Sequence, residues 1–176
     1  MQYLLRHLLA IAVLPGMVAV AVPIVIARAF GVTPTLPTTL VAAAAQLFGL
    51  AFGLAGLGLA SASVYHFATY GRGTLGPWDP PRHLVVRGPY RFVRNPMIAG
   101  VMSLLLGESL LLLSTPHAFW AAIAITVNVA YIVVVEERQL VARFGDEYRN
   151  YQQHVPRFVP RLTPWRPPEV LGRSAV

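Results

Sequence analysis

Cysteine and lysine are both missing from this sequence. Without cysteine, disulfide bonds, thiolate catalysis and cysteine-based zinc sites are excluded. Charged residues are also scarce, at 12% of the 176 residues, whereas 56% are hydrophobic. This composition is far too apolar for an ordinary soluble domain of the same length. The five histidines are scattered and show no metal-ligand spacing, so we expect no metal.

Four segments are apolar enough to pass a hydropathy window of about 20 residues. They are residues 8–29, 40–63, 97–114 and 118–135. The first ends without a convincing cleavage site, so we expect a retained helix, with possible kinks at Pro15 and Pro23. The sequence therefore predicts a single all-α integral-membrane domain with four transmembrane helices.

The arginines are distributed unevenly along the chain. Five of the 14 lie in residues 64–96 and seven follow residue 135, whereas the loops 30–39 and 115–117 contain none. Cytoplasmic loops of membrane proteins are rich in basic residues. We therefore expect both termini and the 64–96 loop in the cytoplasm, as in a bacterial inner-membrane protein. The net charge of +7 then reflects topology and contact with membrane lipids rather than nucleic-acid binding.

Within the apolar segments, small and polar residues indicate packing. Gly49 and Gly53 form a GxxxG pair, a spacing that lets two helices approach closely. Glu108 is a candidate functional residue because a carboxylate within a membrane helix is costly. Its simpler role is a protonated acid that is hydrogen-bonded within the bundle, for example to Ser or Thr. Asn128 is expected to bond between helices.

The polar segments are predicted to lie at the membrane surface. Residues 71–82 are rich in Gly and Pro and form a loop, in which Trp78 suits an interfacial anchor. After the fourth segment, an apolar stripe is typical of an interfacial helix that Gly145 weakens. The stripe comprises Leu140, Phe144, Tyr148 and Tyr151. The proline-rich residues from 156 onward are expected to be extended.

The third and fourth segments are joined by the short link "STPH", so they must form an antiparallel hairpin. At about 1.5 Å per residue, Arg94 and Glu136 both lie roughly 30 Å from this link, at the cytoplasmic lip. This residue count therefore places Arg94 and Asn95 at the same membrane depth as Glu136 and Glu137. Pro96 suits the first turn of the third helix and Asn95 its N-cap. Alternatively, these charges only end membrane helices, and Arg94 reaches lipid phosphate.

Two stretches together resemble a known family. "RGPYRFVRNPMIAG" (87–100) and "EERQLVARFGDEYRNYQQHVPRFVPR" (136–161) are similar to the isoprenylcysteine carboxyl methyltransferase / phospholipid methyltransferase family of integral-membrane enzymes. The resemblance covers roughly residues 71–161, between an N-terminal helical pair (1–70) and a tail (162–176). It implies methyl transfer from S-adenosylmethionine to a lipidic or amphiphilic acceptor. Asn95 replaces the His of eukaryotic members, and Ile98 replaces the usual Tyr.

The resemblance also implies site residues. Arg94 and Glu137 would be catalytic, with Arg94 gripping the cofactor carboxylate through its planar guanidinium. One of the two glutamates would accept from the ammonium or ribose, and Glu137 is preferred because it lies nearer the aqueous face. Asn95 and backbone groups near the Gly88–Pro89 turn would bind the edges of the adenine ring. Tyr90, Tyr148 or Tyr151 would cover the adenine or the sulfonium through cation–π contact. The cofactor-binding set is Gly88, Tyr90, Arg94, Asn95, Pro96, Glu136, Glu137, Tyr148 and Tyr151.

Two other function classes are compatible with the sequence. A membrane reductase that uses NADPH has a related C-terminal architecture but is usually longer. A small four-helix transporter or scaffold would suit Glu108, but the polar cluster lies at the membrane lip rather than at the midplane. Binding of S-adenosylmethionine rather than NADPH distinguishes the enzyme classes.

Overall fold

A computed structural model describes residues 12–71 and 83–166, and these residues are helical with no β-strand. A π-helical stretch (Ala12–Ala21) runs into α1 (Val22–Ala29), and α2 follows (Leu40–Tyr70). A 3-10 turn (Gly88–Arg91) precedes α3 (Pro96–Leu111). α4 (Thr115–Tyr131), a second π-helical stretch (Ile132–Glu136) and α5 (Glu137–His154) then follow directly upon one another. This confirms the all-α prediction for the described residues.

Two helical stretches are long and apolar enough to cross a membrane. They are Leu40–Tyr70 and Thr115–His154, and two shorter apolar helices span Pro15–Ala29 and Pro96–Leu111. The second predicted segment was too short, because α2 continues seven residues beyond residue 63. The fourth predicted segment, which ended at residue 135, was also too short, because the helix continues through the π stretch into α5. Four membrane crossings stay a prediction.

α2 and α3 pack through glycines. A Cβ atom on Gly107 would lie 2.7 Å from both the Gly49 carbonyl oxygen and the Gly53 nitrogen. Gly56 and Gly100 approach each other in the same way. The close approach predicted at Gly49 is therefore confirmed, but the glycines at the contact repeat every seven residues on both helices. Because these four glycines have no side chain, the backbones of the two helices come into direct contact.

The α3–α4 hairpin is closed by Ser114. Its hydroxyl accepts from the His117 backbone N–H at 3.4 Å and contacts His117 Nδ1 at 2.7 Å. His117 Nε2 lies 3.2 Å from the Pro23 carbonyl oxygen. A carbonyl only accepts, so Nε2 carries the proton and Nδ1 accepts from the serine. The tight link predicted from "STPH" is thus confirmed, and it also holds α1 in place.

Trp120 completes the contact between α1 and α4. Its indole N–H donates to the Val18 carbonyl at 2.9 Å. Val18 lies in the π stretch, where a carbonyl pairs with the residue five positions later. That residue is Pro23, which has no N–H. Trp120 therefore supplies the donor that the proline cannot.

The aromatic stripe of α5 packs into protein and not onto a membrane interface. Tyr148 and Tyr151 are each 2% exposed. They share a core with four other buried residues and with the partly buried Leu140, Val141 and Phe144; the four are Leu84, Val86, Val155 and Trp165. The periodicity was predicted correctly, but the interfacial interpretation is wrong for the two tyrosines. Gly145 breaks the helix locally, with φ 56° and ψ −128°.

Two predictions about polar side chains need correction, and a third, at Glu108, is contradicted for one carboxyl oxygen only. Asn95 is the N-cap residue of α3, but its side chain does not cap the helix; its amide donates to the Arg157 carbonyl at 3.4 Å. Asn128 donates to the Ala124 carbonyl of its own helix at 2.8 Å, and not between helices. Glu108 has one buried carboxyl oxygen without a hydrogen-bond partner among the described residues, so the predicted bond to Ser or Thr is not made by that atom. Trp78 lies outside the described residues.

Candidate functional site

The site is assembled around the turn Gly88–Arg91. Gly88 has φ +54°, a conformation that favours glycine. A Cβ atom on Gly88 would overlap the imidazole ring of His66 on α2. The glycine is therefore required twice, for its backbone angle and for the space that His66 fills. This contact seats the turn against the end of α2.

The residues after the turn are bound by the proline-rich segment that follows α5. The Arg94 N–H donates to the Pro156 carbonyl at 2.9 Å, and the Asn95 N–H to the Arg157 carbonyl at 3.3 Å. Two further backbone bonds run from this segment to Phe92 (from Arg161) and to Arg91 (from Trp165), at 3.0 and 2.9 Å. The segment from Pro156 to Arg166 has no regular secondary structure, as predicted. We define it as the return segment.

The return segment and the residues just before α3 each bring an arginine to Glu137. Arg157 Nε donates to Glu137 Oε1 at 2.8 Å, and Arg157 Nη2 donates to Oε2 at 2.7 Å. Arg94 Nη2 lies 3.1 Å from the same Oε1. The side chains of Arg94 and Glu137 are each only 8% exposed, whereas that of Arg157 is 35% exposed. Hydrogen bonding to Glu137 raises the pKa of Arg157.

Two positive charges therefore share one buried carboxylate. The Nε of Arg94 is buried and has no hydrogen-bond partner among residues 12–71 and 83–166. An unpaired guanidinium donor in the interior is unfavourable, since buried polar groups are normally satisfied. The arrangement thus leaves one buried guanidinium donor unpaired, and an anionic acceptor that reached it would balance the second positive charge.

The two adjacent glutamates are placed differently. Glu137 forms the ion pairs, whereas Glu136 makes no hydrogen bond or ion pair with any described residue. The carboxyl of Glu136 influences Tyr90: burial, together with this negative charge, raises the pKa of the Tyr90 phenol. Tyr90 therefore keeps its phenolic proton at neutral pH and remains a hydrogen-bond donor. Its backbone carbonyl accepts from the Tyr151 hydroxyl at 2.6 Å.

The convergence predicted from hairpin counting is confirmed for Arg94 and Glu137, which form an ion pair. Asn95 and Pro96 are buried beside them at the start of α3. The remaining predicted residues form the surrounding framework: Gly88 and Tyr90 form the turn, and Tyr148 and Tyr151 lie in the core below it. Binding and catalytic roles for all nine residues stay predictions.

Sequence reasoning missed two residues that touch this framework. Arg157 belongs to the quoted "VPRFVPR" stretch, and its position next to a proline after an amphipathic helix was the available signal. The sequence does not reveal the role of His66, because His66 contacts Gly88, 22 residues later, and this contact depends on the backbone conformation of the glycine. A buried Nδ1 of His66 has no hydrogen-bond partner in the described part of the chain.

A cleft of about 290 Å³ lies on one face of the α4–α5 helix. It is lined by Val133, Glu137, Arg138, Val141 and Gln152. No cluster of three or more His, Asp or Glu suited to a metal occurs in residues 12–71 and 83–166.

Comparison with known proteins agrees with the sequence resemblance. A family model described as "Phospholipid methyltransferase" matches residues 44–147. "Methanethiol S-methyltransferase 2" of Bradyrhizobium diazoefficiens is 37% identical over 84 residues, which are 42% of this chain and 27% of that protein. "Methanethiol S-methyltransferase 1" of the same organism is 35% identical over 77 residues, 44% of this chain and 25% of that protein.

The chain thus spans about a quarter of the length of the curated relatives it matches. No solved structure matches. The family match covers more than half of the 176 residues and includes the turn, Arg94 and the glutamate pair. The chain belongs to the phospholipid methyltransferase family.

Proposed function

We propose that this protein is a membrane methyltransferase that uses S-adenosylmethionine and methylates a lipidic or amphiphilic acceptor at the cytoplasmic face. The observation that carries the proposal is the Arg94–Glu137–Arg157 cluster, in which Arg94 and Glu137 are buried and one Arg94 donor is unpaired, in a chain of this family. Two guanidinium groups on one buried carboxylate, with a second carboxyl group at Glu136, match a ligand that itself carries a carboxylate and an ammonium group.

The donors and acceptors fit the cofactor group by group. Arg94 Nε is available for the cofactor carboxylate, in a charge-assisted hydrogen bond. Glu136, which lacks a partner among the described residues, is placed to accept from the ammonium or ribose hydroxyls. Tyr90 supplies a phenolic donor, and Asn95 supplies an amide whose nitrogen also donates to the Arg157 carbonyl. We assign Tyr148 and Tyr151 to support of the turn, because both rings are enclosed by protein.

S-adenosylmethionine, when bound, supplies a methyl group that is activated by a positively charged sulfur. Transfer of such a group is a displacement in line with the acceptor, so rate enhancement comes from alignment and from exclusion of water. Arg94 and the glutamates orient the polar end of the ligand, and the apolar helices keep water from the reacting end. Glu137 acts by holding Arg94 in place, because both of its oxygens are already occupied.

For the acceptor we propose a small hydrophobic thiol first. Support comes from the two relatives, whose names describe S-methylation of methanethiol. A phospholipid amine, an isoprenylcysteine-like carboxylate and a small hydrophobic amine are the other acceptors, which differ in the acceptor atom but are likewise hydrophobic or amphiphilic. All of them partition into or near the bilayer, where apolar helices border the cluster.

The proposal includes the membrane arrangement. All four apolar helices cross the bilayer, and both termini and the polar region between α2 and α3 face the cytoplasm. The arginine distribution supports this orientation. Reporter fusions at residues 35 and 116 should read as external, and a cytoplasmic reading at either would contradict the arrangement.

The function is tested with the purified chain in detergent. Calorimetry should show binding of S-adenosylmethionine and of its demethylated product, and no binding of NADPH. Incubation with methyl-labelled cofactor and either methanethiol or phospholipid, followed by mass spectrometry, should show which acceptor gains the label. Binding of NADPH alone would replace the proposal with a reductase. Binding of neither cofactor would leave a transporter or scaffold.

A further inference from the structure

Arg157 lies in the return segment, ten residues beyond the family match, yet it makes the shortest contacts to the carboxylate of the site. We infer that Arg157 is a positioning residue that acts through Glu137 to keep the Nε donor of Arg94 open for the cofactor. The inference rests on the proposed function, because it concerns how the same site is made ready for its ligand.

The geometry at Glu137 carries the argument. The fork of Arg157 occupies both carboxylate oxygens, one through Nε and one through Nη2. This fixes the plane of the carboxylate. Arg94 then reaches only Oε1, through Nη2, and its Nε has no partner in the described residues. Arg157 makes two hydrogen bonds to Glu137 and Arg94 makes one contact, and for this reason Nε of Arg94 remains without a partner among the described residues.

Removing the Arg157 fork would change the pairing of Arg94. A carboxylate and a guanidinium that are free to orient prefer two parallel hydrogen bonds. Without Arg157, Glu137 could rotate to meet both Nε and Nη2 of Arg94. The donor offered to the cofactor would then be used internally, although Arg94 and Glu137 would both still be present.

The backbone contacts make Arg157 testable by substitution of its side chain. The return segment is held to α3 and its preceding residues by main-chain hydrogen bonds at Arg91, Phe92, Arg94 and Asn95. These bonds do not depend on the side chain of Arg157. Arg161 offers a matched control: it lies in the same segment, and its side chain donates to the His154 carbonyl at 2.6 Å rather than to Glu137.

The experiment measures the affinity of the full chain for S-adenosylhomocysteine, by calorimetry, in Arg157→Gln, Arg157→Lys, Arg161→Gln and Arg161→Lys. Arg157→Gln should bind about tenfold or more weakly than the unchanged protein. Arg157→Lys, which offers a charge without a fork, should be intermediate. Both Arg161 variants should stay within about twofold. The KM for the acceptor should be unchanged in Arg157→Lys, because Glu137 serves the cofactor end.

The outcomes separate this inference from the proposed function. If the unchanged protein binds neither the cofactor nor its product, the proposed function fails. If it binds and Arg157→Gln binds equally well, the inference is overturned. An equal loss of affinity in the Arg157 and Arg161 variants also overturns it, because the loss would then come from weaker docking of the whole return segment and not from the contact with Glu137. Should Arg157→Gln fail to fold, Arg157→Lys decides, with an expected loss of about threefold or more relative to Arg161→Lys.

Discussion

Replacing each of the two adjacent glutamates with glutamine should have very different effects. Glutamine keeps the size of the side chain and removes only the charge. Glu137 is buried and pairs with Arg94 and Arg157, whereas Glu136 makes no hydrogen bond or ion pair in the described part of the chain. Glu137→Gln should therefore destabilise the protein strongly, and Glu136→Gln should do so little.

The magnitude follows from what Glu137 leaves behind. Arg94, 8% exposed, would be a buried guanidinium without a counter-ion. Removing one partner of a buried ion pair costs about 3–5 kcal/mol. Arg157 adds little to this loss, because it is 35% exposed and water can solvate it. For Glu136→Gln we expect less than about 1 kcal/mol, as for groups without a partner.

Equilibrium unfolding of both variants in detergent, followed by tryptophan fluorescence, gives the two free energies. A double variant, Arg94→Met with Glu137→Leu, is the control for the mechanism. It removes both buried charges and should regain most of the stability that Glu137→Gln loses, but it should not bind S-adenosylhomocysteine. Equal losses for the two glutamine variants, within about 0.5 kcal/mol, would refute the reasoning.

Three further predictions concern the helices. Gly88→Ala should cost about 2 kcal/mol or more in unfolding free energy, because its Cβ meets His66 at a positive φ; Gly31→Ala, with φ +63° and open space, should lose only about 1 kcal/mol. Gly107→Ala should cost about 1–3 kcal/mol by separating α2 from α3, whereas Gly58→Ala, which meets no atom within 4 Å, should not destabilise. Glu108→Gln should keep the affinity for S-adenosylhomocysteine within about twofold by calorimetry, because the part of α3 from Pro96 to Glu108, about 18 Å long, separates it from the end near which Arg94 lies; a large loss in a folded variant would contradict the assigned depth.

The meeting of Arg94 with Glu137 was predictable, because the length of a helical hairpin sets the depth of each residue. The choice between Glu136 and Glu137 was not predictable from a regular helix. The π stretch Ile132–Glu136 lies directly before Glu137, and each π turn holds more residues than an α turn. The faces presented by α5 are therefore rotated relative to those of α4, and hydropathy contains no signal for that rotation.

The return segment shows a second limit of sequence reasoning. Its prolines correctly predicted a segment without regular secondary structure. Its partners are backbone groups about 60–75 residues earlier in the chain, as in the bond from Arg161 to Phe92, and main-chain donors look alike in any sequence. The same contact explains the error at Asn95. The backbone of the return segment lies beside the amide of Asn95. The Asn95 side chain therefore donates to the Arg157 carbonyl and does not cap its own helix.

The unequal lengths of α2 and α3 have a consequence for the surrounding lipid. α2 has 31 residues, about 46 Å, and α3 has 16, about 24 Å, while the hydrocarbon layer is about 30 Å thick. In the proposed four-helix arrangement the bilayer must thin beside α3, and the end of α2 must rise among the headgroups. Lipids with short chains would match the thinned zone. Turnover should therefore depend on acyl-chain length, a dependence that a detergent micelle conceals.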